Sequence, residues 1–369
     1  MAELYIGLMS GTSLDGVDGV LVDFSTTPLR VVAHHSAPFE PALRTELLAL
    51  NTASHDELHR AALASNGLVR CYAQTVAALL NTTGASTNDI QAIGAHGQTV
   101  RHQPGLHDGI GYTTQLNNPA LLAELTDIAV VADFRSRDIA AGGQGAPLVP
   151  VFHQGVFGRT DHTVGVLNIG GIANLSVLRP GAAAQGFDCG PGNALLDHWC
   201  LTHTGRTYDD RGQWAAGGQV QSALLASLLS EPFLHRLPPK STGRDLFHPE
   251  WLRHHLQTCP GTAPVDIQTT LTEFTARACA QDVLRHAASA RELLVCGGGA
   301  LNEWLMHRLQ AHLPGVQVAS SATRGLPPLQ VEAAAFAWLA RQTLRGLPGS
   351  LPNVTGARGA RMLGAVYPR

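Results

Sequence analysis

The sequence predicts an α/β protein in which one strand-rich core design occurs twice, and three observations carry that expectation. The stretch from Leu4 to Asp18 is an apolar run stopped by hydroxyls, glycines and the carboxylates of Asp15 and Asp18, and Gly16 to Asp23 alternates enough to be a second strand. Thr163 to Leu178 repeats the design as apolar run, glycine turn and second run. Around these units lie Ala/Leu-rich stretches with apolar residues at three- and four-residue spacing, the period of an amphipathic helix. A strand–turn–strand unit met twice in similar order is the trace a duplicated fold leaves.

Taken in order, the opening strand delivers Ser10-Gly-Thr-Ser-Leu-Asp-Gly16. Ser10, Gly11, Thr12 and Ser13 are small enough for backbone N–H groups to approach an anion, and Asp15 and Asp18 suit a magnesium ion or its waters. A tight hairpin between two strands accounts for the same residues. Leu29 to His34 predicts a third strand, hence a meander. Residues 41 to 83 read as two amphipathic helices, with Leu43, Leu47, Leu48 and later Leu68, Tyr72, Val76 and Leu79 on apolar faces. Ile90 to Ala95 reads as a short buried strand ending in a polar loop. There His96, Gln98, Thr99 and Arg101 suit sugar hydroxyls or phosphate oxygens at a strand's carboxyl end. A satisfied structural histidine is the other reading of His96. Asn117-Asn-Pro carries an N-cap signal, and Ile128 to Arg135 is a strand followed by Asp133, Arg135 and Asp138.

Ala140-Ala-Gly-Gly-Gln-Gly-Ala-Pro147 reads as a hinge. It places one domain at 1–139, joined by about 345–369, and a second at 140–344. In the second, the turn from Asn168 through Gly170 and Gly171 to Asn174 is a candidate phosphate loop, and a third strand ends at Gly186-Phe-Asp-Cys-Gly-Pro-Gly-Asn193. Asp188 stands beside Phe187, ahead of a helix for which Asn193 is placed as N-cap. Burial raises a carboxylate's pKa and a helix N-terminus lowers it, and either balance leaves a candidate general base. A turn aspartate bonding only its own backbone is the alternative. Lys240 is the only lysine. Its segment lacks the glycine of a Walker A loop, and an anion contact, a subunit contact and an ordinary surface loop all remain open. Glu292 to Trp304 is strand, glycine turn and helix. Asn302 stands where G-x-G-x-x-G needs its third glycine, and Val316 to Ser320 offers no acidic residue, which argues against a dinucleotide site. Gly297, Gly298 and Gly299 equally suit the flat face and ribose of a nucleotide.

Composition bounds the remaining classes. A chain of 369 residues with 44% hydrophobic and 14% charged residues is of ordinary folded type and long enough for about two domains. A net charge of -3 and scattered arginines offer no stripe for nucleic acid. No apolar run approaches the roughly 18 residues needed to span a bilayer. Six cysteines without a C-x-x-C pair, and an opening Met-Ala-Glu, favour the cytoplasm.

Ser10-Gly-Thr-Ser-Leu-Asp-Gly16, His96-Gly-Gln-Thr-Val-Arg-His102, Asp133-Phe-Arg-Ser-Arg-Asp138, Asn168-Ile-Gly-Gly-Ile-Ala-Asn174, Phe187-Asp-Cys-Gly-Pro-Gly-Asn193, Pro239-Lys-Ser-Thr-Gly-Arg244 and Cys296-Gly-Gly-Gly-Ala-Leu-Asn302 together resemble the anhydro-N-acetylmuramic acid kinase family. The resemblance runs through Val354-Thr-Gly-Ala-Arg358. It implies the fold of actin, sugar kinases and Hsp70, with two RNase H-like domains around an ATP cleft. It further implies ATP and magnesium, a homodimer, and a bacterial cytoplasmic role in cell-wall recycling. By that resemblance Ser10 to Asp18, including Leu14, Gly16 and Val17, binds ATP with Asn168, Gly170, Gly171, Gly297, Gly298, Gly299 and Asn302. Asp188 becomes the base, and His96, Arg135 and Glu332 lie near the sugar. The magnesium ligands stay open, and an exposed position on a core-packing helix is the other reading of Glu332. Cysteine at 189 departs from the expected threonine. The implied reaction opens a 1,6-anhydro sugar with water and phosphorylates O6. A kinase of the same superfold for an ordinary sugar or small acid, and a non-catalytic nucleotide-binding regulator, are the alternatives.

Overall fold

The computed structural model describes residues 2–11, 14–243, 246–257 and 259–369, which group into two compact units, one of residues up to 152 with 330–369 and one of 153–329. In the first, β1 (Leu4–Met9), β2 (Gly16–Asp23) and β3 (Arg30–Pro38) form an antiparallel meander, and β4 (Ile90–Ala95) lies parallel to β1. A hairpin of β5 (Gln98–Pro104) and β6 (Gly111–Leu116) follows, before β7 (Val130–Ala132) joins parallel to β4. The C-terminal strand Ala365–Tyr367 closes the edge beyond β7. The second unit holds β8 (Thr163–Ile169), β9 (Ile172–Leu178), β10 (Gln185–Pro191), β11 (Ala290–Cys296) and β12 (Gln317–Ser320).

Strand order exposes the duplication. The first sheet runs β3-β2-β1-β4-β7 and the second β10-β9-β8-β11-β12, each with three antiparallel strands followed by two parallel to the first. Parallel neighbours require long crossovers, which is why helices Pro41–Ala49 and Glu57–Thr83 separate β3 from β4. These are the two RNase H-like cores expected of the α/β fold. In the first, Leu68, Tyr72, Val76 and Leu79 of the long helix pack into the core with Ile6, Leu8 and Ile93 of the sheet. In the second, Leu167, Leu175, Phe187 and Val295 pack with Cys279 and Val283 of helix Pro264–His286 and with Leu305 and Leu309 of helix Glu303–His312.

Helix Val331–Leu344 packs on β1 and β4, and paired glycines decide how close it comes. Gly7 and Gly94 are register partners; a Cβ on Gly7 would lie 1.8 Å from the Ala333 carbonyl oxygen, and one on Gly94 2.0 Å from that of Phe336. Gly94→Ala is therefore expected to lose about 1–3 kcal/mol of stability, the usual cost of overpacking, measured as a lower urea midpoint. An unchanged midpoint would contradict this contact.

Three features depart from the sequence reading. The expected polar loop after His96 is the β5–β6 hairpin, which pairs Gln98–Pro104 with Gly111–Leu116 and buries Val100 and Leu116 among polar neighbours that hide the strand signal. The glycine stretch 140–147 is fastened rather than hinge-like, because buried Asp138 accepts from the Gly145 amide at 2.8 Å and from Thr355 Oγ1 at 2.8 Å. The Gln144 amide also donates to the Thr355 carbonyl at 2.7 Å. These bonds account for the Val354-Thr-Gly-Ala-Arg358 motif. Finally, residues 140–152 and 330–344 group with the first unit, whereas the sequence division assigned them to the second domain. Contact of helix Val331–Leu344 with β1 and β4 is the physical reason.

Candidate functional site

In the first unit, the β1–β2 connection is held from beneath. Ser10 Oγ donates to the Gly97 carbonyl at 3.1 Å and lies 3.2 Å from Tyr72 Oη, which accepts from the Gly97 amide at 3.1 Å. Tyr72, read in the sequence only as an apolar helix position, thus ties the ends of β1 and β4 together. Burial pushes its phenol pKa up, so it stays protonated. Gly11 accepts from the Leu14 amide at 3.2 Å, Leu14 sits at φ 58°, and Arg44 Nε donates to its carbonyl at 3.0 Å. Thr12 and Ser13 lie outside the described residues. Gly16, Val17 and Asp18 are already strand, in register with Pro38, Ala37 and Ser36 of β3, and Val17 is buried, so the Asp18 carboxylate is the side-chain group they leave open to a ligand. Asp18 Oδ1 accepts from Ser36 Oγ and lies 3.3 Å from His34 Nε2, while Asp15 is exposed.

His96, Arg135 and Glu332, distant in sequence, come together. Arg135 Nε donates to His96 Nε2 at 3.0 Å, which places the imidazole proton on Nδ1. Its Nη1 donates to the Gly145 carbonyl at 2.7 Å. Burial, then the adjacent guanidinium, holds the His96 pKa well below the ordinary histidine value, so the ring is neutral. Burial also lowers Arg135 to about 10, with Glu332 and Asp138 pulling the other way, and it remains a cation at neutral pH. Glu332 is half-buried in the first turn of helix Val331–Leu344, whose Phe336 ring lies 4.6 Å from that of His96. A cavity of about 250 Å³ opens beside His96, lined also by Gln115, Asn117, Asp133 and Ser136.

In the second unit the expected glycine turns form one cluster. The Asn193 and Gly192 amides donate to the Gly170 and Gly171 carbonyls at 2.7 and 2.9 Å. Asn193 stands at the N-cap position of helix Ala194–Thr204, yet its side chain donates to the Ile169 carbonyl at 3.1 Å instead of capping. Gly297, at φ 76°, lies where a Cβ would meet Asn168 Oδ1 at 2.5 Å and the Ile169 carbonyl at 2.7 Å. A Cβ on Gly299 would meet the Ile169 side chain at 2.4 Å. Asn302 caps helix Glu303–His312 by accepting from the Leu305 amide at 2.9 Å. Asn168, Gly170, Gly171 and Gly297–Gly299 therefore share one close-packed turn region with bare backbone, suited to phosphate and nucleoside.

Asp188 lies on β10, where the pairing register with β9 shifts between Asp188 and Gly190. Such bulges re-aim a side chain. Its amide donates to the Lys240 carbonyl at 3.1 Å, while Oδ2 accepts from Ser241 Oγ and the Thr242 amide, each at 2.9 Å. Oδ1 has no hydrogen-bond partner among the described residues. Burial pushes the Asp188 pKa above the ordinary carboxylate value, against the pull of the Thr242 amide, the Ser241 hydroxyl and the Lys240 charge. The result is an oriented carboxylate with raised basicity, suited to take a proton from water. Lys240 is buried, its Nζ 2.8 Å from Asp282 Oδ2, which removes its readings as surface-loop residue, anion contact or subunit contact. Ser241 and Thr242 were not singled out from sequence, although they lie inside the motif around the only lysine.

A family model described as anhydro-N-acetylmuramic acid kinase matches residues 3–369. A protein of that name from Variovorax paradoxus is 62% identical over 371 residues, covering 99% of each chain. One from Albidiferax ferrireducens is 60% identical over 388 residues, covering 100% of each. One from Chromobacterium violaceum is 53% identical over 371 residues, again covering 100% of each.

Proposed function

The chain belongs to the anhydro-N-acetylmuramic acid kinase family and is an ATP-dependent kinase of peptidoglycan recycling, and from that membership we propose how its residues divide the work. The substrate is 1,6-anhydro-N-acetylmuramic acid. Its O6 is locked in the internal acetal, so phosphoryl transfer needs the C1–O6 bond to open. Asp188 takes a proton from the water that attacks C1; the C1–O6 bond breaks and O6 takes the γ-phosphoryl group of ATP. The products are N-acetylmuramic acid 6-phosphate and ADP. The observation that carries this assignment is the Asp188 carboxylate, with Oδ2 held by Ser241 and Thr242 and its basicity raised by burial.

The Ser10–Asp18 segment, with Asn168, Gly170 and Gly171, presents backbone amides to the phosphates, and Gly297, Gly298, Gly299 and Asn302 seat the nucleoside. Positioning and charge stabilisation carry most of a phosphoryl-transfer barrier, which is the work such loops do. His96, Arg135 and Glu332 hold the sugar, Arg135 pairing with its lactyl carboxylate. Among the described residues no group of three or more His, Cys, Asp or Glu side chains is placed to hold a metal. The carboxylates at hand, exposed Asp15 and partly exposed Asp18, suit a single contact to a magnesium ion carried mainly by phosphates and waters. When bound, the ion neutralises phosphate charge.

Among the described residues no helix is long and apolar enough to cross a membrane. A cytoplasmic homodimer, with no nucleic-acid or membrane partner, completes the proposal and rests on the family resemblance and on composition. A coupled assay of ADP release tests the function. Release that depends on 1,6-anhydro-N-acetylmuramic acid is expected, and release without regard to sugar would favour a regulator. Turnover in heavy-oxygen water should label C1; phosphorylation without label would point to an ordinary sugar kinase.

A further inference from the structure

We propose that Lys240 is a positioning residue for the base: its buried ion pair with Asp282 seats the segment 238–243, so that Ser241 and Thr242 hold the Asp188 carboxylate. This rests on Asp188 being the base. Three consecutive residues contact Asp188, through the Lys240 carbonyl at 3.1 Å, the Ser241 hydroxyl at 2.9 Å and the Thr242 amide at 2.9 Å. Their anchor is the Lys240 side chain, 1% exposed, paired at 2.8 Å with an Asp282 side chain 2% exposed. The ammonium also lies 5.2 Å from the Phe233 ring centre and 5.7 Å from that of Phe187.

An ion pair so deeply buried is a poor device for stability alone, since desolvation offsets much of its attraction. Its position accounts for it better: the cation sits one residue before the group that bonds the base. The neighbouring titratable groups do not supply that charge. His286, on the Asp282 helix with Nε2 3.8 Å from Asp282 Oδ1, is held below the ordinary histidine value by burial. The Cys189 thiol, beside Asp188 on β10 and hydrogen-bonded to the free thiol of Cys279, is pushed up by burial and stays protonated. Of the neighbouring charges, Lys240 is the one that pulls the Asp188 pKa down, after the Thr242 amide and the Ser241 hydroxyl.

Lys240→Met alone would strand a buried Asp282 charge and unfold the protein, so the test uses Lys240→Met/Asp282→Leu, an exchange of an ion pair for apolar residues that proteins tolerate. The pH profile of kcat/KM is measured on the full chain with ATP and 1,6-anhydro-N-acetylmuramic acid. The folded double variant is expected to lose about tenfold or more in kcat, and its acidic limb should move up by about half to one pH unit, with KM for ATP unchanged. A folded double variant with wild-type kcat and an unmoved limb overturns the proposal. Should the double variant not fold, Lys240→Arg decides. It keeps the charge but displaces the segment that carries Ser241 and Thr242, so kcat should fall, and wild-type kcat overturns the positioning role. Failure of the base assignment looks different: the wild-type enzyme itself would show no acidic limb, or Asp188→Asn would keep its turnover.

Discussion

Asp188→Asn keeps the fold and nucleotide binding and loses about 10²–10⁴ in turnover, the usual worth of a positioned base. The amide has the carboxylate's shape, and its oxygen can still accept from Ser241 Oγ and the Thr242 amide, so the bonds that hold the side chain survive. What disappears is the ability to take a proton. The sign of the pH dependence follows from the same group. A base works ionised, so turnover in the wild-type protein falls as pH drops through the Asp188 pKa. Burial places that pKa above the ordinary carboxylate value of about 3.9, so the loss begins at higher pH than for a solvated aspartate. Stopped-time ADP release against pH, with nucleotide titration of the variant, checks both statements. Near-normal turnover in Asp188→Asn would remove this residue from the reaction.

Arg135→Ala raises KM for the anhydro sugar by about 10–100-fold, the range for a lost hydrogen bond to a charged group, and leaves KM for ATP in place. Arg135 is a cation already anchored by its bonds to His96 Nε2 and the Gly145 carbonyl, so little ordering is left to be done when a carboxylate arrives. Arg135→Lys should recover only part of the loss, because an ammonium cannot reproduce the planar fork. The discriminating measurement uses 1,6-anhydro-N-acetylglucosamine, which lacks the lactyl carboxylate. Wild type and Arg135→Ala should handle it alike; an equal loss on both sugars would show that Arg135 acts through something other than that carboxylate. The variant also removes the charge beside His96, one of the two causes of its lowered pKa, so the imidazole should titrate closer to the ordinary histidine value in an NMR titration.

Much of the scaffold was legible because it is written in local patterns. Apolar runs ended by glycine turns at Leu4–Asp18 and Thr163–Leu178 became β1–β2 and β8–β9. Asn118, flagged by the cap signal, accepts from the Leu121 amide at 3.1 Å. The β5–β6 hairpin escaped notice because its strands are mostly polar, burying little beyond Val100 and Leu116. The glycines of 140–147 misled for a related reason. A glycine cluster signals backbone freedom, yet Gly142 and Gly145 use theirs to adopt positive φ in a loop pinned to Asp138.

Local pattern alone revealed the duplicated core and the family and singled out the residues proposed for the chemistry, since each is a matter of which side chain follows which strand. Tertiary structure decided how those residues are supported. Ser241 reaches Asp188 across 53 positions, Lys240 reaches Asp282 across 42, and Tyr72 joins Ser10 to Gly97 across 62 and 25. A lysine in a Pro-Pro-Lys-Ser-Thr segment carries no local mark of burial. Its charge is buried because the folded chain brings it a carboxylate partner and two aromatic rings, and only the folded chain has them side by side.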